Sequence, residues 1–276
     1  MSKPVWFITG CSSGFGKELC KFLLESRKYN VVVTARNLGD VVEFASSSDA
    51  LVIELDVTNK EQVSNSVNIA LSHFGKIDVL VNNAGYGLFG SIEESSDKEV
   101  RDLYDVNVFG VVNMIREVLP SMRNNKSGTI VNISSLAGIC GCPGAGHYSA
   151  TKFAIDGLTD ALSQEVKPLG IKAIVVHPSQ FRTNWADSSK TADCHISDYD
   201  SVAKAKADQL KANSGKQAGD PVRAAQKIVQ VVESSDPPLH LLLGNASFSM
   251  ATQKLETLKK EYSNWEIVSK SVEFPK

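Results

Sequence analysis

The chain lacks the marks of several large classes of protein. No apolar run approaches the roughly 20 residues of a membrane-crossing helix. The formal net charge is −2, so there is no basic surplus of the kind that binds nucleic acid. The five cysteines, Cys11, Cys20, Cys140, Cys142 and Cys194, form an odd and scattered set. Such a set makes no disulfide framework and points to a reducing compartment. Cys140 and Cys142 stand too close together and lack a second pair, and Cys194-His195 stands alone. Neither reads as a metal site. No Pro/Gly/Ser linker or charge block divides the 276 residues, which favours one domain, residues 1–276, with an ample core. The beginning shows no charged–apolar–small signal pattern, and the final Phe-Pro-Lys matches no targeting signal. The expectation is a cytoplasmic protein with no metal, no nucleic-acid partner and no membrane partner.

What is present is an alternation of short apolar runs with helical patterns. Val5 to Ile8, Val31 to Val33, Leu51 to Leu55, Ile77 to Val81, Thr129 to Ile133, Ile171 to Val176 and Leu239 to Leu243 read as strands. Helical spacing appears after residue 16, at 61–74, 97–123, 147–166 and 221–232, the last opened by an Asp220-Pro221 cap. This order predicts an α/β fold, a Rossmann-type doubly wound parallel sheet of about seven strands with right-handed crossovers. Ligands of such sheets bind at the carboxyl ends of the strands, and Asp56, Asn83 and Ser135 all fall at such ends.

Between the first strand and first helix lies Gly10-Cys11-Ser12-Ser13-Gly14-Phe15-Gly16. Glycines let backbone approach an anion, and a helix N-terminus supplies free N–H groups, so the turn predicts dinucleotide binding. Arg36 follows the second strand where an acidic residue would bind the ribose hydroxyls of NAD. A guanidinium there suits a 2′-phosphate, which points to NADP(H). Tyr148 and Lys152 sit four apart at the start of a helical stretch, and Ser135 ends a strand beside them. An ammonium next to a phenol is expected to draw its pKa of about 10 downward, toward the range useful for acid–base work. Asn107, inside an apolar helical pattern, reads equally as a helix-bending or a functional residue.

Together these motifs resemble the short-chain dehydrogenase/reductase family over roughly residues 5 to 183. Thr9-Gly10-x-x-x-Gly14-x-Gly16 is similar to its cofactor turn, Asn82-Asn83-Ala84-Gly85 to its sheet motif, and Asn107, Ser135, Tyr148 and Lys152 to its catalytic tetrad. The resemblance implies that Tyr148 is the acid/base and that Lys152 lowers its pKa and binds the nicotinamide ribose. It implies that Ser135 polarises a substrate carbonyl and that Asn107 holds a relay water. Cofactor contacts are implied for Gly10, Ser12, Ser13, Gly14, Phe15, Gly16, Arg36, Asp56, Val57, Asn83, Ala84, Gly85, Tyr148, Lys152, Pro178, Phe181 and Thr183. The implied activity is NADPH-dependent reduction of a ketone or aldehyde to an alcohol, or the reverse. A catalytically idle NADP-sensing or scaffold protein is the competing class, and the complete tetrad argues against it. One departure is Pro178-Ser179 where the family has Pro-Gly, and His177 beside it reads as packing.

Residues 185–220 are polar, with Tyr199, Val202, Ala203, Ala207 and Leu210 at helical spacing, which suits a mobile lid. A terminal helix is expected over 246–262, with 263–276 a tail packing near the lid or a neighbour. Leu88, Phe89, Ile139, Cys142 and Trp185 suggest an apolar substrate pocket. In the family the helices corresponding to 97–123 and 147–166 pair across a two-fold axis. Val106, Phe109, Val112 and Phe153 would bury there, giving a homodimer or homotetramer.

Overall fold

The computed structural model describes residues 2–274. In chain order its elements are β1 (Val5–Ile8), α1 (Gly14–Ser26), β2 (Asn30–Ala35), β3 (Ala50–Glu54), α2 (Lys60–Phe74), β4 (Val79–Asn82) and β5 (Leu88–Phe89). There follow α3 (Asp97–Tyr104), α4 (Gly110–Asn125), β6 (Gly128–Ile133), α5 (Gly146–Val166) and β7 (Ile171–Pro178). The chain continues through α6 (Trp185–Ser188), β8 (Lys190–Thr191), α7 (Ala205–Ala212), α8 (Pro221–Val232), β9 (His240–Leu243), α9 (Asn245–Asn264) and α10 (Glu266–Lys270).

Seven parallel strands form one sheet in the order β3-β2-β1-β4-β6-β7-β9. The order reverses between β1 and β4, so the sheet is doubly wound, as the strand–helix alternation predicts. Period-two alternation sorts the strand residues between two cores. Trp6, Ile8, Val31 and Val33 face α1 and α8, meeting Leu19, Leu23, Ala225 and Ile228. Phe7, Val32, Leu80 and Ile130 face α2, α4 and α5, meeting Val67, Met114, Val118, Ile155 and Leu162. Both faces are covered, which is why the strands read as unbroken apolar runs.

Helix boundaries follow local chemistry. Asn59 accepts from the Glu61 and Gln62 amides to start α2, and Gly75 (φ 78°) ends it. Ser96 and Glu99 make a reciprocal capping box for α3. Asp220 caps α8 with Pro221 at its first position. The helix expected over 97–123 is interrupted: Asp105–Phe109 forms a π turn between α3 and α4, centred on Asn107. The expected tail is also different. α9 runs two residues past 262, α10 follows, and residues 259–274 are exposed, so in the single chain they pack on neither the lid nor the body. Pro275 and Lys276 lie outside the described residues. Among the described residues no helix is long and apolar enough to cross a membrane.

Candidate active site

A cleft of about 1490 Å³ opens along the carboxyl ends of the strands. Its floor at one end is the glycine turn. Gly10 has φ 70°, and a Cβ there would lie 2.9 Å from Ala84 Cα. A Cβ on Gly16 would lie 2.4 Å from the Gly10 carbonyl oxygen. Asn83 fixes the turn from the side, its Nδ2 donating to the Thr9 and Gly10 carbonyls at 2.9 Å each. Ser13 precedes α1 in extended conformation with no side-chain cap, and the first turn of α1 carries no acidic residue. The amides of that turn are thus left to an anion approaching from the cleft. Phe181, from the loop after β7, packs edge-on against Phe15 with centroids 5.0 Å apart.

Arg36 directly follows β2, is exposed and lines the same cleft, as do Ser12, Ser13, Asp56, Val57, Ala84, Gly85, Pro178 and Thr183. Asp56 Oδ1 accepts from both the amide and the hydroxyl of Thr58, which sets the carboxylate at the wall. Two residues expected at the site, one as a cofactor contact and one as the holder of a relay water, stand behind the wall instead of on it. Gly16 is buried beneath the turn. Asn107 is 1% exposed, and its amide bridges the Tyr86 backbone (Nδ2 to O 2.9 Å, N to Oδ1 3.1 Å) and the Thr151 hydroxyl (3.2 Å). Its side chain therefore ties α5 to the loop after β4, and the π turn is the local distortion that accompanies it.

At the other end of the cleft Tyr148, Lys152 and Ser135 come together. Tyr148 and Lys152 share one face of α5, with Lys152 Nζ 5.6 Å from the Tyr148 ring centroid. Lys152 Nζ donates to the Ile133 carbonyl at 2.8 Å, which fixes it against β6. Both side chains are buried. Burial brings the Lys152 ammonium down to about 8, against the opposing charge of Asp156. The Tyr148 phenol departs from the expectation: burial pushes its pKa up, and the Ser135 hydroxyl only partly offsets this. Two residues four apart on a helix reveal that they adjoin, but not that both are withdrawn from water.

Trp185 of α6 covers Tyr148, centroids 5.0 Å apart, and meets Phe89 edge-on at 5.7 Å. Phe89, Cys142, Trp185, Leu210 and Met250 give this end of the cleft its apolar lining. Leu88 is buried in the cluster behind it, and Ile139 is not among the lining residues. The segment expected as a lid is fastened at one edge: β5 and β8 pair in parallel, and Ala192 N donates to Phe89 O at 2.7 Å. Ser179 lines the cleft, its amide donating to Leu243 O at 2.9 Å. A Cβ at Gly244 would meet Ser179 Oγ at 2.3 Å, so the glycine makes room for the serine. Met250 and Tyr86, which also line the cleft, were not picked out by motif or spacing, and Leu210 was picked out only as part of the lid's helical pattern. His177, expected to pack, is wholly buried among polar groups. Among the described residues no group of three or more His, Cys, Asp or Glu could hold a metal ion.

A doubly wound sheet thus carries one cleft with a glycine turn at one end and Tyr148, Lys152 and Ser135 at the other. Residues 4–193 match the short chain dehydrogenase family, and the chain belongs to it. It is 34% identical over 268 residues to Oxidoreductase BOA17 of Botryotinia fuckeliana, covering 96% of this chain and 97% of that protein. A 3-ketodihydrosphingosine reductase of Bacteroides thetaiotaomicron is 41% identical over 192 residues, 68% of each chain. The solved short-chain dehydrogenase from Streptomyces avermitilis superposes with a TM-score of 0.91 at 34% identity, covering 99% of this chain and 100% of that one. Other solved proteins of similar fold hold NADP or NADH.

Proposed function

We propose that the chain is an NADP(H)-dependent carbonyl reductase, converting an apolar ketone or aldehyde to an alcohol, or running the reverse. The observation that carries this reading is the meeting of Tyr148, Lys152 and Ser135 at one end of a cleft whose other end is a glycine cradle open to phosphate. The glycine turn and the start of α1 would hold the pyrophosphate, and Arg36 a 2′-phosphate. A bound nicotinamide supplies the hydride. Ser135 donates to the carbonyl oxygen and orients it. Tyr148 gives that oxygen its proton, and a phenol raised by burial arrives protonated at neutral pH. Lys152, when charged, favours the developing phenolate and holds the neighbouring ribose hydroxyls. Trp185, Phe89 and Leu210 exclude water from the reacting end and favour an apolar substrate.

The experiment is NADPH oxidation against a panel of aldehydes, aliphatic ketones and long-chain ketones, for wild type and Tyr148→Phe. Wild type should turn over at least one class, and the variant should lose roughly 10²- to 10⁴-fold while still binding NADPH. Retention of more than about a tenth of turnover would remove Tyr148 from the acid role.

A further inference from the structure

Behind the wall that carries Tyr148 lies a row of buried polar groups for which the reduction has no direct use. Asp156 stands one turn beyond Lys152 on α5, with its side chain 14% exposed. Its Oδ1 accepts from Ser134 Oγ at 2.5 Å, and its Oδ2 lies 3.5 Å from His177 Nδ1. His177 is 0% exposed, and its Nδ1 also faces the Ser135 carbonyl at 3.3 Å. On the far side His177 Nε2 lies 3.1 Å from His240 Nδ1, the rings stacked with centroids 5.4 Å apart. His240 is exposed on β9. A row of close polar groups therefore runs from solvent to the back of the helix bearing Tyr148 and Lys152, hydrogen-bonded from His240 through His177 to the Ser135 carbonyl, with the Asp156 carboxylate alongside. The space for it is kept by Gly138, where a Cβ would lie 2.7 Å from both Asp156 Oδ2 and Ser134 Oγ. Among the described residues His177 is the sole partner of Asp156 within salt-bridge range. The buried cation that its charge reaches is Lys152.

We propose that Asp156, held by Ser134 and His177, is a positioning residue that keeps the Lys152 ammonium charged, and that the His177–His240 pair links this carboxylate to solvent protons. The inference rests on the reading of Tyr148 and Lys152 as the acid pair. A buried ammonium without a counter-charge loses its proton in the neutral range. Lys152 is already brought down to about 8, and the Asp156 charge is what opposes further descent. Burial lifts Asp156 to about 6, while the Ser134 hydrogen bond and the Lys152 charge restrain the rise. Burial lowers His177 to about 4, so it is neutral where Asp156 titrates. In the tautomer protonated at Nδ1, that N–H donates to the Ser135 carbonyl beside the carboxylate, and Nε2 accepts from His240. The titratable groups facing Asp156 are Lys152 on its own helix, His177 on β7 and, through His177, His240 on β9. From α9 comes Ser247, which does not titrate and donates to the His177 carbonyl at 2.7 Å. Above the Asp156 midpoint the ammonium has its counter-charge, and below it the counter-charge is gone.

The test reads the charge on Lys152 directly, by carbon NMR of protein labelled at lysine Cε, with the Lys152 signal identified by its absence in Lys152→Met. Wild-type Lys152 should titrate near pH 8 with a smaller inflection near pH 6. Asp156→Asn should erase the inflection and lower the Lys152 midpoint by about one pH unit or more. His177→Leu, which removes the polar ring beside the carboxylate, should move the inflection to higher pH. His177→Gln, which keeps an N–H, should bring it back. A Lys152 midpoint unchanged in Asp156→Asn overturns the proposal. So does wild-type protein with no Lys152 inflection between roughly pH 5 and 7, a result that requires no core variant to fold. Because this readout needs no turnover, failure of the acid role is detected separately, by activity in Tyr148→Phe.

Discussion

Opposing pulls set the chemistry of single residues in this cleft. Burial holds the proton on Tyr148, the Ser135 hydroxyl loosens it, and Lys152 shares the face but is anchored to the Ile133 carbonyl. The spacing of Tyr148 and Lys152 was legible in the sequence because i and i+4 adjoin on any helix. The sign of the phenol's shift was not, because it depends on what α6 places over the ring. Arg36 was legible by position alone, just after β2 with no acidic neighbour. Arg36→Asp should remove a charge-assisted grip worth roughly 1.5–3 kcal/mol, about one to two decades of NADPH affinity. The kcat/KM ratio of NADPH to NADH checks this, and an unchanged ratio counts against the NADP assignment. Asp156 and His177 make an opposed pair in stability. Asp156 has its folded pKa raised from 3.8 to about 6, so the stability it contributes is full at low pH and lost as pH rises through 6. His177 is lowered from 6.5 to about 4, so its contribution is full above 6.5 and lost as pH falls through 4. The slopes oppose one another between those limits. Asp156→Asn should therefore lose Tm more steeply than wild type on acidification through that window, and parallel curves would contradict this.

Elements carry the next level of the argument. The turn from β1 to α1 works because rigid groups surround glycine: at Gly16 a Cβ would meet Gly10 O at 2.4 Å and Asn83 Nδ2 at 2.6 Å. Gly16→Ala should lower both Tm and NADPH affinity, with a stability loss of about 1–3 kcal/mol from overpacking. Gly157→Ala on α5, where no atom lies within 4 Å of the added methyl, should match or slightly exceed wild type in Tm. Thermal melts and NADPH fluorescence titration compare the two. This turn, the capped start of α8 and the helices packed on the sheet were legible because glycine, Asp-Pro and apolar period each leave a local mark. The β5–β8 ladder was not, since two residues have no period and its partner lies a hundred positions away. Asn107 was visible as an odd residue in a helix, but a π turn depends on the Tyr86 and Thr151 contacts that hold it. His177 looked like packing because sequence cannot place Asp156 and His240 on either side of it.

At the scale of the whole molecule, seven parallel strands bring residues from the loop after each of them to the carboxyl ends of the sheet, and there they line the cleft. The π turn that leads into α4 leaves Phe109 55% exposed, and α5 leaves Phe153 46% exposed. We expect the surfaces that carry them to pair between two copies of the chain. Sedimentation or light scattering at micromolar concentration should give a dimer or tetramer, and Phe109→Glu with Phe153→Glu should shift it toward monomer. A wild-type monomer would contradict the pairing. The central claim is that Tyr148, Lys152 and Ser135 complete a hydride transfer from a nicotinamide held in this cleft to a carbonyl carbon. Its most direct measurement uses NADPH deuterated, in separate runs, on each face of the reactive nicotinamide carbon, with a ketone or aldehyde that the panel shows to be turned over. The account predicts deuterium on the new carbinol carbon from one face only, and no labelled alcohol from Tyr148→Phe beyond a hundredth or so of wild type. Alcohol formed without deuterium from either face, or equal labelled product from the phenylalanine variant, would contradict it.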